Sequence, residues 1–196
     1  RINTFTHILE GYKVADKMKK HGAYASTFSD WWAYKFEVND AIPYNAAILT
    51  KQGVLTAINS DDAEMGRRLN QEAAKTIKYG GMTEIQALNM VTINPAKMLH
   101  IDDKVGSISV GKDADLVLWS GNPLSVYSHT ELVMIDGAIY FSKEKDSTLQ
   151  KTIKIERQRL IQAMLEAKKS GSKTQKVDHS DQHLYHCDSY EDECEF

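Results

Sequence analysis

The sequence predicts an α/β fold, built from consecutive parallel strand–helix units and followed by a smaller antiparallel sheet. Over the first 90 residues, short β-prone runs alternate with longer helical patterns across short links. From Val105 the pattern changes to alternating residues and turns, in which Asp136–Gly137 is a typical two-residue hairpin sequence. A basic helical pattern then begins at Lys143.

Each element is predicted from its own periodicity and end signals. The β-prone runs fall in residues 2–8, 23–28 and 53–59, and the helical patterns in residues 10–21, 39–51, 63–79 and 83–91. Gly22 and Gly80 suit helix ends, and Pro43 interrupts the second helical pattern. Three such units cannot close a (β/α)8 TIM barrel, which needs eight strands in about 250 residues. They would be the last part of one, and since the chain begins at Arg1 we expect a C-terminal fragment.

Composition and charge exclude several classes of protein. The 196 residues are 42% hydrophobic and 26% charged, which is typical of a globular protein. No stretch approaches the roughly 18 consecutive apolar residues of a membrane helix, so we expect no transmembrane segment. With 27 acidic against 24 basic side chains there is no general basic field, so we expect no nucleic-acid partner.

The charge is distributed unevenly along the chain. Residues 142–177 carry 10 basic and 4 acidic side chains, whereas residues 178–196 carry 7 acidic and no basic ones. We expect the basic segment to form a helix that docks on the preceding fold, with contact to an anionic surface or to the acidic tail as alternatives. The polar, acidic composition beyond residue 170 predicts disorder.

Two residues at predicted strand ends are candidates for catalysis. His7 ends the first β-prone run, and Asp61 follows the third. In a TIM barrel such strand ends converge on the active site, where a histidine and an aspartate suit metal ligation and the aspartate also suits a general base. The alternatives are a structural histidine and a helix-capping aspartate, and the adjacent Asp62 competes with Asp61.

Two later motifs carry a family resemblance. The sequence TINPAKML occupies residues 92–99, and VGSISVGKDADLV occupies residues 105–117. In this order and spacing they resemble the C-terminal signature of the amidohydrolase superfamily, and the subgroup resembled is the imidazolonepropionase-like one. His7 and Asp61 match the histidine and aspartate that this subgroup carries after its sixth and eighth strands. The resemblance covers about residues 1–141.

The resemblance implies a domain organisation. Residues 1–100 would form the C-terminal portion of a TIM barrel, about strands 6–8, and residues 101–141 part of a small composite β-sandwich. A basic helical extension would follow in residues 142–170, and an acidic tail containing histidine and cysteine in residues 171–196.

The resemblance also implies a metal-dependent hydrolase. Such enzymes hydrolyse a non-peptide carbon–nitrogen bond, in a cyclic amide or related small molecule, with one or two divalent metals, usually zinc. His7 would be a metal ligand, and Asp61 a ligand and base. The other ligands would precede Arg1, so the fragment alone is expected to be inactive. The alternatives are a dipeptidase-like enzyme acting on peptide-like amides and a non-catalytic scaffold. The sequence is compatible with a homo-oligomer and does not indicate a localisation.

Further candidates follow the predicted strands or lie in the tail. A substrate-pocket wall, or alternatively a packed loop, is predicted at Tyr12, Lys13, Trp31, Trp32, Tyr34 and Lys35. A rival metal site is conceivable at His179, His183, His186, Cys187 and Cys194. Their spacing matches no structural zinc pattern, so incidental weak binding is the favoured interpretation.

Overall fold

Two three-stranded sheets organise the chain, of which the computed structural model describes residues 2–33, 35–173 and 175. The first sheet is parallel, in the order β1–β2–β3, with strands at Thr4–Phe5, Tyr24–Thr27 and Thr56–Ile58. The second is antiparallel, in the order β4–β5–β6, with strands at Leu116–Trp119, Thr130–Ile135 and Ala138–Ser142. The predicted α/β character and the parallel strand–helix units are confirmed, while the predicted barrel and sandwich remain predictions.

The helices that connect and flank the strands are mostly short. In the described residues α1 to α7 span, in order, Ala15–His21, Asn45–Lys51, Ala63–Gly66, Leu69–Gly80, Glu84–Asn89, Ile93–Met98 and Lys143–Lys169. Single 3-10 turns occupy Gly11–Val14 and Phe36–Val38.

Several predicted bounds are wrong in the same way, because local patterns overextend regular elements. The strand predicted over residues 2–8 is reduced to two residues, and α1 starts only after the 3-10 turn that follows it. The helix predicted over residues 39–51 begins at Asn45, beyond Pro43, because proline restricts the residue before it. The helix predicted over residues 63–79 breaks after Gly66, where glycine weakens a helix interior.

One face of the parallel sheet packs against α1, α2 and α4. Ala25 of β2 is fully buried together with Leu49 of α2 and Met18 of α1. A neighbouring cluster joins Ile58 of β3 to Met90. Because the three strands run parallel, their C-terminal ends lie along one edge of the sheet.

The close approach of α4 to α2 depends on a glycine. A Cβ atom at Gly80, the last residue of α4, would lie 2.1 Å from the Cβ of Ala47 in α2. Any larger residue at Gly80 would therefore separate these two helices.

The antiparallel sheet contains the predicted hairpin. Asp136 and Gly137 have φ values of 50° and 77°, as a tight two-residue turn between β5 and β6 requires. The hairpin prediction is confirmed.

The helix α7 extends from this sheet. Its main contacts are with β5 and β6. All 27 of its residues are described, and none of them is buried. Leu149, Ile153 and Leu160 on one side are exposed. The helix prediction is confirmed. Because α7 contacts β5 and β6 without burying any of its own residues, its docking on the preceding fold stays a prediction.

Some predictions fall elsewhere. Those for Tyr34 and for the tail histidines and cysteines lie outside the described residues. Within the described part, a search for helices of the length and apolarity that a membrane span needs finds none.

Candidate active site

The structure brings His7 and Asp61 into direct contact. His7 lies two residues beyond β1 and Asp61 three residues beyond β3, and the His7 Nε2 and Asp61 Oδ1 atoms are 2.7 Å apart. Their side chains are 50% and 38% exposed. A contact this exposed contributes at most about 1 kcal/mol to the stability of the fold. The same exposure leaves both side chains accessible to solvent and to ligands at the edge where the strands end.

The backbone of His7 adopts a rarely populated conformation. Its φ of 54° lies in the left-handed region, which costs a residue with a side chain on the order of 1–3 kcal/mol. The contact with Asp61 does not by itself offset such a cost. Strain of this kind clusters at functional sites, but Ala33, His100 and Asp136 also have positive φ values, so it supports His7 only together with its position at the strand end.

The two adjacent aspartates have different roles in the structure. Asp62 is the N-cap of α3, where its Oδ1 accepts a hydrogen bond from the backbone N–H of Met65 at 2.8 Å. Asp61 instead contacts His7. The carboxylate of Asp61 is therefore the one presented at the strand edge beside the histidine.

An aromatic wall stands beside His7. The ring of Phe28 contacts that of His7 edge-on at 5.2 Å and stacks on Trp31 at 4.0 Å with an interplanar angle of 6°. The indole N–H of Trp31 contacts the sulfur of Met65 at 3.0 Å. Since α3, which carries Met65, begins two residues after Asp61, these contacts connect the His7 side of the candidate site to its Asp61 side.

Asn45 supports this region from within the core and was missed by the sequence analysis. Its side chain is 2% exposed. Its Nδ2 donates to the carbonyl of Ile8 at 2.8 Å and to the Thr27 hydroxyl at 3.0 Å, and its Oδ1 accepts from the N–H of Tyr12 at 2.9 Å. One buried amide therefore fixes the backbone on both sides of the turn that follows His7. An asparagine just after Pro43 was the available signal, and it does not reveal these partners.

A second missed group is a partly buried charged cluster next to the aromatic wall in the sequence, in which Glu72 is buried and Lys75 and Asp30 are partly exposed. The ammonium of Lys75 lies 2.8 Å from both Asp30 and Glu72, and Ser29 Oγ donates to Glu72. We call these four residues the Lys75 clamp. Burial acts to lower the pKa of Lys75, but the hydrogen bonds to Asp30 and Glu72 outweigh it, so the pKa lies above its usual value.

The residues predicted to line a pocket after His7 are engaged locally. Lys13 forms hydrogen bonds of 2.5 Å to both Glu10 and Asp40. The carboxylates of Asp40 and Glu10 raise the pKa of the Lys13 ammonium. The Lys13 ammonium also lies 5.9 Å from the centre of the Tyr12 ring. Both residues remain predictions as substrate contacts, and Lys13 would have to exchange a carboxylate for a substrate group.

The predicted pocket residues after β2 diverge. Trp31 joins the aromatic wall, whereas Trp32 is 56% exposed. Lys35 pairs with Glu37 at 2.5 Å. Trp31 is connected to His7 through its stack on Phe28.

The donors at the strand edge fit a divalent metal in part. An imidazole nitrogen and a carboxylate oxygen are both zinc ligands. Among the described residues, no group of three or more His, Cys, Asp or Glu side chains could hold a metal ion. His7 and Asp61 therefore fit as two members of a ligand set and not as a complete one.

A buried amide near Asp61 lacks a partner. Asn59 Oδ1 accepts from the Ser26 hydroxyl at 2.7 Å, while its Nδ2 has no hydrogen-bond partner in the part of the chain that is described. Such a donor costs free energy unless an acceptor reaches it, so Asn59 is a further polar group available beside the strand ends.

Comparison with known proteins gives the family. The model of the amidohydrolase family matches residues 4–154. Amidohydrolase tasK of Hapsidospora irregularis is 35% identical over 115 residues, which are 58% of this chain and 12% of that protein. The imidazolonepropionase of Thermoplasma volcanium is 28% identical over 127 residues, which are 58% of this chain and 30% of that protein.

A solved structure agrees with these sequence matches. The crystal structure of an amidohydrolase from Thermotoga maritima MSB8 matches with a TM-score of 0.66 and 33% identity, covering 71% of this chain and 37% of that one. The chain spans less than a third of the length of both curated relatives. The predicted resemblance, including its imidazolonepropionase-like character, is confirmed. The chain belongs to the amidohydrolase family.

Proposed function

We propose that this chain contributes part of the active site of a metal-dependent amidohydrolase that hydrolyses a non-peptide carbon–nitrogen bond in a cyclic amide or related small molecule. The observation that carries the proposal is the 2.7 Å contact between His7 and Asp61 at the ends of two parallel strands. Family membership supports the reaction class.

The proposed domain organisation follows the family resemblance. Residues 1–100, with three parallel strands, would be about strands 6–8 of a TIM barrel, and residues 101–141 part of a composite β-sandwich. Residues 142–170 would be a helical extension, and residues 171–196 a separate tail. The parallel order of β1, β2 and β3 supports the barrel assignment.

His7 and Asp61 would hold the metal. A divalent ion held there, which we propose to be zinc, would supply a Lewis acid and would lower the pKa of a water molecule from 15.7 toward about 7. His7 would bind through Nε2 as a neutral imidazole with its proton on Nδ1, so the metal would take the place of the proton that Nε2 shares with Asp61 in the 2.7 Å contact. The remaining ligands would come from residues beyond the described set.

Asp61 would also move the proton. A carboxylate beside the attacking water can accept a proton from it on one oxygen and then deliver that proton to the nitrogen of the bond that breaks. Without this proton the nitrogen would have to leave as an amide anion, which is a poor leaving group. The exposure of Asp61 supports this double role, because the carboxylate reaches both solvent and its neighbour His7. The wall formed by Phe28 and Trp31 would exclude water from one side of the substrate.

The test compares two neighbouring aspartates in the complete gene product. Asp61→Asn should lower kcat for cyclic-amide hydrolysis by about 10³-fold, which lies within the range for loss of a general base. Asp62→Asn is the matched control, since asparagine caps a helix as well as aspartate, and it should leave kcat nearly unchanged. A harmless Asp61→Asn would refute the assignment. If the enzyme hydrolyses dipeptides faster than cyclic amides, it is a dipeptidase and the proposed substrate class is wrong.

A further inference from the structure

We infer that the Lys75 clamp is a positioning device that holds Phe28 and Trp31 against His7 and thereby sets the substrate-binding wall of the candidate site. The inference rests on the proposed function, because it concerns the wall of the site at which hydrolysis is proposed.

The clamp joins the segment that follows β2 to the helix α4, which lies far from it in the sequence. Asp30 lies in the segment after β2, and Lys75 lies 45 residues later in α4. Glu72, one helical turn before Lys75, accepts from both the Lys75 ammonium and the Ser29 hydroxyl. Two consecutive residues of the segment are therefore attached to one face of α4.

Burial makes this attachment demanding. Glu72 is 3% exposed and Ser29 is 4% exposed, whereas the side chains of their partners Lys75 and Asp30 are 32% and 28% exposed. Acidic side chains are almost never buried to this extent unless they are paired. A well-packed apolar group of similar volume in place of such an ion pair is often neutral or even stabilising. A gain in stability therefore does not by itself explain why Asp30, Glu72 and Lys75 are charged. Their role in holding the segment after β2 in one orientation explains it.

The residues on either side of the attachment form the aromatic wall. Asp30 is adjacent to Trp31 and two residues after Phe28, and these two rings stack at 4.0 Å. Phe28 in turn contacts His7 at 5.2 Å. A shift of Asp30 would consequently move both rings relative to His7.

The clamp also couples the wall to the aspartate side of the site. The helix α4 follows Asp61 through α3, and α3 contacts Trp31 through Met65. Contacts among the described residues therefore fasten the wall by Met65 directly and by Lys75 through Asp30. Both fastenings belong to elements that follow β3, so the ends of β2 and β3 are held as one unit.

The experiment uses Trp31 as its own reporter. In the complete gene product, every tryptophan other than Trp31, which includes Trp32 and Trp119 of this chain, is replaced by phenylalanine, so that Trp31 is the only fluorescent indole. Lys75→Met should increase acrylamide quenching of its fluorescence at least about twofold, because the released segment opens locally. Lys78→Met on the same helix is the matched control, since that ammonium lies over the Tyr79 ring, and it should change nothing. Lys75→Arg, which keeps the charge, should restore the shielding.

A second variant covers the case in which Lys75→Met fails to fold. Asp30→Ala removes the link to the segment but leaves Glu72 paired with Lys75, so the buried carboxylate keeps its partner. It should increase quenching in the same way. Unchanged quenching in folded Asp30→Ala or folded Lys75→Met would overturn the inference.

Kinetics separates this inference from the proposed function. In the active enzyme, Asp30→Ala should raise KM about tenfold or more with a smaller effect on kcat, because a displaced wall misplaces the substrate. Increased quenching with an unchanged KM would overturn the substrate-binding role. If no amide is hydrolysed at all, the proposed function fails, while the fluorescence result still decides whether the clamp positions the wall.

Discussion

Two histidine–carboxylate pairs in this protein have nearly the same geometry and different surroundings. His7 and Asp61 are 2.7 Å apart, as are His129 and Glu131 on the antiparallel sheet. The two histidine side chains are 50% and 52% exposed. Distance and exposure therefore do not distinguish the candidate metal ligands from a surface pair.

The difference lies in the neighbouring charge and in the backbone. The Lys143 ammonium lies 3.0 Å from Glu131 and also contacts His129. Its hydrogen bond holds the pKa of the Glu131 carboxyl below the usual range. A metal cation at this pair would have to displace another cation. His7 instead has a strained backbone and an aromatic neighbour at the end of a parallel strand. A potential ligand pair is therefore identified by what surrounds it.

The largest expected effect is on metal affinity. In the complete gene product, His7→Gln should weaken zinc binding at least about 100-fold, because loss of a direct ligand costs more than the 10–100-fold typical of outer-shell groups. His129→Gln should leave the affinity unchanged. Competition titration with a chromogenic chelator measures both variants, and equal effects would remove the distinction between the two pairs.

A smaller effect is expected from the residue that supports each histidine. Asn45→Ala should lower the free energy of unfolding by about 2–3 kcal/mol, because buried backbone and hydroxyl groups lose their partner. Ser120 contacts His129 at 3.2 Å on the surface, and Ser120→Ala should cost less than about 0.5 kcal/mol. Urea denaturation provides the comparison, and a cost for Asn45→Ala as small as that for Ser120→Ala would contradict it.

The smallest effect is a pH dependence at the surface pair. Because the pKa of Glu131 is lowered in the folded state, its ionised form stabilises the protein above its ordinary pKa of 4.5, and this contribution is lost as the pH falls through the folded-state value. The stability difference between the wild type and Glu131→Gln should therefore shrink between pH 6 and pH 3. A difference that grows on acidification would show that the ion pair with Lys143 does not form in solution.

Much of the fold could be predicted from local patterns. Alternation, helical periodicity and turn residues act over a few neighbours, so the parallel units, the Asp136–Gly137 hairpin and α7 were found in the sequence. Element ends were less well predicted, because packing decides whether a turn continues. The region after His7 forms a 3-10 turn beside Leu49, which a pattern of spaced apolar residues does not reveal.

The candidate site could be predicted only in part. Position at strand ends, together with the family motifs, indicated His7 and Asp61. The choice between Asp61 and Asp62 depended on which carboxylate caps α3, and Asn45 had no signal beyond its residue type. The Lys75 clamp was missed because a lysine and a glutamate one helical turn apart are most often an exposed pair.

The sequence by itself determined the family and the order of the elements, and it indicated His7 and Asp61 as candidate metal ligands. These follow from motifs and from periodicities that are encoded among near neighbours. Only the tertiary structure decided that His7 meets Asp61 across 54 residues, and that Asp30 is attached to α4 across 45. The physical reason is that a hydrogen bond forms only when its two atoms lie within a few ångströms of each other. The distance between segments that are far apart in the sequence is set by how the whole core packs.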